Sequence, residues 1–186
     1  MRTDNGQSRS NFARRALLPR VLGLPVGAIC VSVPLWELQR PVWVWLALLL
    51  FAFVWPWLAF GLSRIYREPA RMERWHILFD SFAAMFALVA AGFSPLAAAV
   101  FVAMLTANNV AAGGIRFVAR ALLAQLAGVL VGMLLFGATF HAPVTPLHLY
   151  ACMPMLLLHP MMVVTLYRLA LSLGQSRRAM WLAMRY

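Results

Sequence analysis

The sequence has no lysine and little acid. All sixteen basic residues are arginine, against five carboxylates: Asp4, Glu37, Glu68, Glu73 and Asp80. Only Asp80 lies well inside an apolar stretch, so a relay of carboxylates carrying protons across a membrane is excluded. The two cysteines, Cys30 and Cys152, sit in separate apolar segments and form no metal-ligand pattern. The histidines offer no metal spacing either: His148 and His159 are eleven residues apart, about 16 Å along a helix axis. There is no Walker loop, no HExxH, no GxSxG and no dinucleotide fingerprint. No catalytic residue, metal or cofactor is expected in this chain.

What is present is apolar. Hydrophobic residues make up 63% of the chain and the mean hydropathy is +0.80, whereas soluble domains average about half apolar. The expectation is an all-α integral membrane protein with six transmembrane helices in one bundle. The apolar runs are Val21–Leu38, Val42–Ser63, His76–Gly92, Pro95–Ala112, Ala121–Phe140 and Leu147–Leu171. They give a basic segment over 1–19, whose first ten residues read as unstructured, a membrane domain over 20–171 and a linker over 172–186. The formal charge of +11 does not point to nucleic acid, because the arginines cluster between apolar runs. Alternate loops carry fifteen arginines on one side and Arg40 alone on the other. The basic side is cytoplasmic, which places both termini inside.

The chain is organised around the third and fourth runs, joined at Phe93-Ser94-Pro95. Folding them back places residue i near the depth of 187 − i. The polar residues of both helices, His76 and Asp80 on one, Thr106, Asn108 and Asn109 on the other, then meet at one end. A carboxylate in lipid turns toward partners or a wet cavity, and this cluster supplies partners. It reads either as a clamp between two helices or as a ligand-facing switch. Gly113–Arg120 reads as the next turn.

Other candidates are weaker. Trp55-Pro56-Trp57 and His159 are secondary site candidates, Trp55 on an aromatic face kinked by proline. Ala124, Gly128 and Gly132 repeat every four residues, the spacing that lets helix backbones approach. Leu166, Leu169, Leu173, Ser176, Met180 and Ala183 follow coiled-coil a/d steps.

Several blocks resemble a known family. Phe12-Ala13-Arg14-Arg15 with Leu18-Pro19-Arg20, Phe53-Val54-Trp55-Pro56 with Leu58-Ala59, and Asp80, Asn108 and Ala112-Gly113-Gly114 with Arg116 and Phe117 are similar to the second kind of membrane-associated sensor (MASE) domain. This chain departs from the pattern at His76 and at His159. The resemblance implies a bacterial inner-membrane sensor or anchor that regulates a C-terminal cytoplasmic cyclase, most often a GGDEF diguanylate cyclase making cyclic di-GMP. It also implies a homodimer, since such catalysis joins two GTPs across two active sites. No GGDEF motif occurs in these 186 residues, so the output domain is expected elsewhere. A small apolar ligand between the spans suits the short external loops. The rival reading is a small membrane transporter or scaffold with a polar path near Asp80.

Overall fold

The computed structural model describes residues 4–66, 68–140, 144–161 and 164. All regular structure among them is helical. Helix α1 spans Asp4–Glu37, α2 Val42–Leu49, a π-helical turn Leu50–Val54, α3 Trp55–Ile65, α4 Pro69–Ala90 and α5 Pro95–Phe136. A further helix, α6, covers 146–161. Among the described residues three stretches are long and apolar enough to cross a membrane: Arg20–Glu37, Val42–Ile65 and Ala112–Phe136. The a/d steps from Leu166 onward and the linker over 172–186 lie outside the described residues.

Residues 4–10 belong to α1 and are not an unstructured tail. The alanine, arginine and leucine that follow are good helix formers, and extending an existing helix is far easier than nucleating one. The helix runs on through Pro19, Pro25 and Pro34. Each proline removes one backbone donor and orphans the carbonyl four residues earlier. For Pro34 that carbonyl belongs to Cys30, and the Cys152 thiol donates to it from α6 at 3.9 Å.

The second span meets the same problem at Pro56. Its ring would strike the carbonyl of Ala52 in a regular α-helix. The wider π turn over Leu50–Val54 lies at that place and relieves the crowding.

Between α4 and α5 the chain closes in a Schellman-type end. Phe93 N–H donates to the Leu88 carbonyl at 3.0 Å and Gly92 N–H to that of Val89 at 2.9 Å. Gly92 takes a positive φ of 65°, where a side chain would be strained.

Helix α5 is two antiparallel arms. Gly113 and Gly114 break the helical dihedrals, Gly114 at φ 65°. The first arm climbs α4 from Ala90 toward Ser81, where Ser81 Oγ donates to Asn109 Oδ1 at 3.3 Å. The second arm returns: Gly128 lies against the Phe82 carbonyl, Gly132 against Val89, and Phe136 tilts against Phe86 at 5.7 Å. The turn is confined to the two glycines, and Ile115–Arg120 are helical. The break is this short because Gly114 takes a positive φ that side chains rarely adopt, so the helix resumes at once.

The buried core joins α1, α2, α4, the first arm of α5 and α6 through Val31, Leu35, Val44, Leu88, Phe101 and Met155. Most outward side chains of α2, α3 and the second arm are large and apolar, among them Trp57, Leu62, Leu126 and Leu134. Such a surface suits hydrocarbon.

Candidate functional site

Three helices converge on one buried ionic cluster. Arg20, near the middle of α1, is 7% exposed. Its Nη2 lies 2.7 Å from Glu73 Oε1 and its Nε donates to Asp80 Oδ2 at 2.8 Å. The fork geometry of guanidinium lets one side chain hold two carboxylates at once. The indole N–H of Trp55, on α3, donates to the other Asp80 oxygen at 2.6 Å. Ser63, also on α3, donates to Glu73 Oε2 at 3.2 Å and meets His76 Nδ1 at 3.3 Å. Glu73, His76 and Asp80 stand on one face of α4, at steps of three and four residues.

Trp55 and His76 are held by packing as well. The Trp55 ring meets the His76 ring edge-on at 5.4 Å and tilts against Phe79 at 4.6 Å. His76 Nδ1 is 3.6 Å from Glu73 Oε2. His76 is 3% exposed, and its Nε2 is buried without a hydrogen-bond partner among the described residues. Glu73 precedes the apolar stretch that begins at His76. Burial works against its charge, but hydrogen bonding from His76 and the Arg20 guanidinium outweighs burial and holds its carboxyl below the usual range. The cluster sets two carboxylates against one guanidinium. Among the described residues no three His, Cys, Asp or Glu are arranged to hold a metal ion.

This arrangement corrects the partners expected for Asp80. The sequence pointed to Thr106, Asn108 and Asn109, but Asp80 turns away from α5. Its neighbour Ser81 takes the bond to Asn109, while Thr106 Oγ1 donates to the Val102 carbonyl of its own helix at 2.7 Å. Asn108 is half-buried and belongs to neither contact. A helix turns about 100° per residue, so depth matching fixes height and not direction. His76 and Trp55 are in the cluster; His159, half-buried on α6, is not. Arg20 and Glu73 were missed because the segments between apolar runs read as water-facing, and Ser63 because a single hydroxyl at the end of an apolar run carries no signal of its own. The available signal was Arg20 at the head of an apolar run, at the end where Asp80 also sits. Gly128 and Gly132 lie against α4, and Ala124 is half-buried.

The opposite end has its own tie. Arg40 Nε donates to the Ala90 carbonyl at 2.7 Å, its Nη2 to Thr139 Oγ1 at 3.1 Å, and its guanidinium lies 4.9 Å from the Phe136 ring centre. His148, at the start of α6, faces Glu37 at 3.2 Å and Thr145 Oγ1 at 2.8 Å. These contacts fasten the end of α1 to α4, α5 and α6.

Comparison with known proteins agrees with the resemblance noted above over the blocks from Leu18 to Asp80, while Asn108 and the Ala112–Phe117 block lie beyond the matched residues. Residues 15–103 match the MASE2 domain. The chain is 28% identical over 181 residues to proteins named probable diguanylate cyclase DgcC in Escherichia coli strains K12 and CFT073. That alignment covers 94% of this chain and 47% of each relative, so the chain spans about half the length of the curated relatives it matches. No solved structure matches it. The matched region contains α1 from residue 15 onward, α2, the π turn, α3 and α4, so every residue of the ionic cluster lies within the part of the chain that is similar to the MASE2 domain.

Proposed function

We propose that this chain is the membrane sensor module that regulates a cytoplasmic nucleotide cyclase, most specifically a GGDEF diguanylate cyclase making cyclic di-GMP. The observation that carries the reading is the cluster of Arg20, Trp55, Glu73 and Asp80. It ties α1, α3 and α4 together at the arginine-rich end and is buried away from water. A signal that separates the helices must break charged hydrogen bonds in a low dielectric, and such contacts are made or lost as a unit. The similarity to two probable diguanylate cyclases over nearly the whole chain supports the choice of output.

The topology proposed with it is six spans in the bacterial inner membrane, both termini cytoplasmic, and a homodimer that brings two cyclase domains together. The fifteen-to-one arginine split supports the orientation. Reporter fusions after Pro143 and after Gln175 should report opposite sides; matching reports would refute six spans. For the regulation, the chain is joined through its C-terminal end to a GGDEF domain and cyclic di-GMP is measured in cells. Asp80→Asn should change the nucleotide level at unchanged protein level in the membrane. Equal nucleotide levels for wild type, Asp80→Asn and Arg20→Met, all inserted, would leave a plain anchor.

A further inference from the structure

A cavity of about 40 Å³ lies directly beneath the ionic cluster. Gly23 and Gly27 of α1, Ala84 and Ala87 of α4, Met104 of α5 and Met155 of α6 line it, with Phe51 and Phe101, and it is partly open at the surface of the bundle. No charged or hydrogen-bonding side chain occurs in its lining. An ordered water needs two to four polar partners, and this lining offers it none.

The void is not forced by tight backbone packing. At Gly128 an added Cβ would run into the Phe82 carbonyl. At Gly27 it would sit 3.6 Å from the Met155 methyl and the Phe101 ring, and at Gly23 3.8 Å from the Met104 methyl. Both are ordinary contact distances, so alanine would fit at either position and fill part of the space. The sequence instead keeps two glycines one turn apart, facing two flexible thioethers. Methionine adapts readily to an irregular occupant.

The position of the cavity gives it a consequence. Leu24 lines it one turn beyond Arg20, and Ala84 one turn beyond Asp80. Phe51 lines it and stacks on Trp55 at 6.4 Å, while Trp55 holds Asp80. An occupant therefore presses on neighbours of the cluster in α1, in α4 and in the π turn that leads into α3.

We infer that this cavity is a binding site for an uncharged apolar molecule of one to three heavy atoms, the size of a dissolved gas that partitions into the bilayer. Apolar protein cavities that bind benzene measure about 150 Å³, so a ring such as a quinone head does not fit. That occupancy sets cyclase output rests on the proposed function; the binding itself does not.

The test uses xenon as the probe, on the full chain in lipid nanodiscs with ¹³C-methyl methionine. The Met104 and Met155 methyl resonances should shift saturably with xenon pressure. Met153, exposed on the surface of α6, should drift only linearly, as lipid-dissolved gas dictates. Gly27→Leu, which fills the space, should abolish the saturable component. Gly27→Ala, which fits without collision, should weaken it with the spectrum otherwise native, and so guards against misfolding of the leucine variant. Linear drift at all three methionines, or saturation undiminished in both variants, would overturn the site. Saturable binding without any change in the output of an attached cyclase would count against the sensor reading and leave the site standing.

Discussion

Replacing Arg20 by methionine keeps the length and apolar stem of the side chain and removes the guanidinium. Glu73 and Asp80 then remain buried without their shared cation. Their side chains are 9% and 17% exposed, so water offers little relief. Removing one partner of a buried ion pair typically costs about 3–5 kcal/mol. A second route gives a similar figure. The variant can shed charge by protonating one carboxyl, and at pH 7 that costs about 1.4 kcal/mol for each unit above an ordinary pKa near 4, about 4 kcal/mol in all. In the variant the folded-state carboxyl pKa lies above the unfolded value. The penalty therefore shrinks on acidification, to about 1–2 kcal/mol at pH 5. The intact cluster behaves in the opposite sense. The Glu73 carboxyl is held low, so its contribution is complete above the usual carboxylate range and is lost as pH falls through the folded value. Equilibrium unfolding of the chain in detergent, followed by tryptophan fluorescence at pH 7 and pH 5, reads both effects. Adding Glu73→Gln and Asp80→Asn to Arg20→Met should recover much of the loss, because no uncompensated charge remains. An Arg20→Met variant as stable as the parent at both pH values would refute the buried cluster.

Trp55→Phe keeps the ring contacts and removes the donor to Asp80; it should cost about 1.5–3 kcal/mol, the range for hydrogen bonds to charged groups, in the same unfolding assay. Gly128→Ala should destabilise by about 1–3 kcal/mol through overpacking against the Phe82 carbonyl, whereas Gly27→Ala should be neutral or stabilising by up to about 1 kcal/mol through helix propensity and void filling; a reversed order would refute the packing of the second arm on α4. Thr106→Val should lie within about 0.5 kcal/mol of the parent, since its hydroxyl serves only the Val102 carbonyl, and a larger loss would restore Thr106 as a partner of Asp80.

The hairpin of α4 and the first arm of α5 was legible because apolar length, the Gly92–Pro95 turn and the glycine pair at 113–114 are all local signals. The ionic cluster was legible only by half. His76 and Asp80 declare themselves as polar groups in an apolar run. Their true partners come from α1 and α3, at separations of 60 residues for Arg20 and 25 for Trp55 from Asp80, and no local pattern carries the rotation of one helix about another. Arginine between apolar runs also serves two purposes, marking the cytoplasmic side and neutralising buried acid. Counting Arg20 for topology hid that it is buried. The π turn was legible only as a generic proline kink, because the way a helix absorbs proline depends on what its two halves must each face.

That last point sets where the length of the second span can vary in evolution. Its inward positions Val44, Leu48, Ala52 and Pro56 recur every fourth residue. Along a plain α-helix such a series drifts by about 40° per step, about 120° over the three steps. The extra residue wound into 50–54 cancels most of that drift. Losing one residue there would regularise the helix while both halves kept their inward faces. Losing one anywhere else in the span would swing Trp55 off Asp80 or Val44 out of the core. Relatives that bind Asp80 in the same way should therefore differ in length at this turn and nowhere else between Val42 and Ile65.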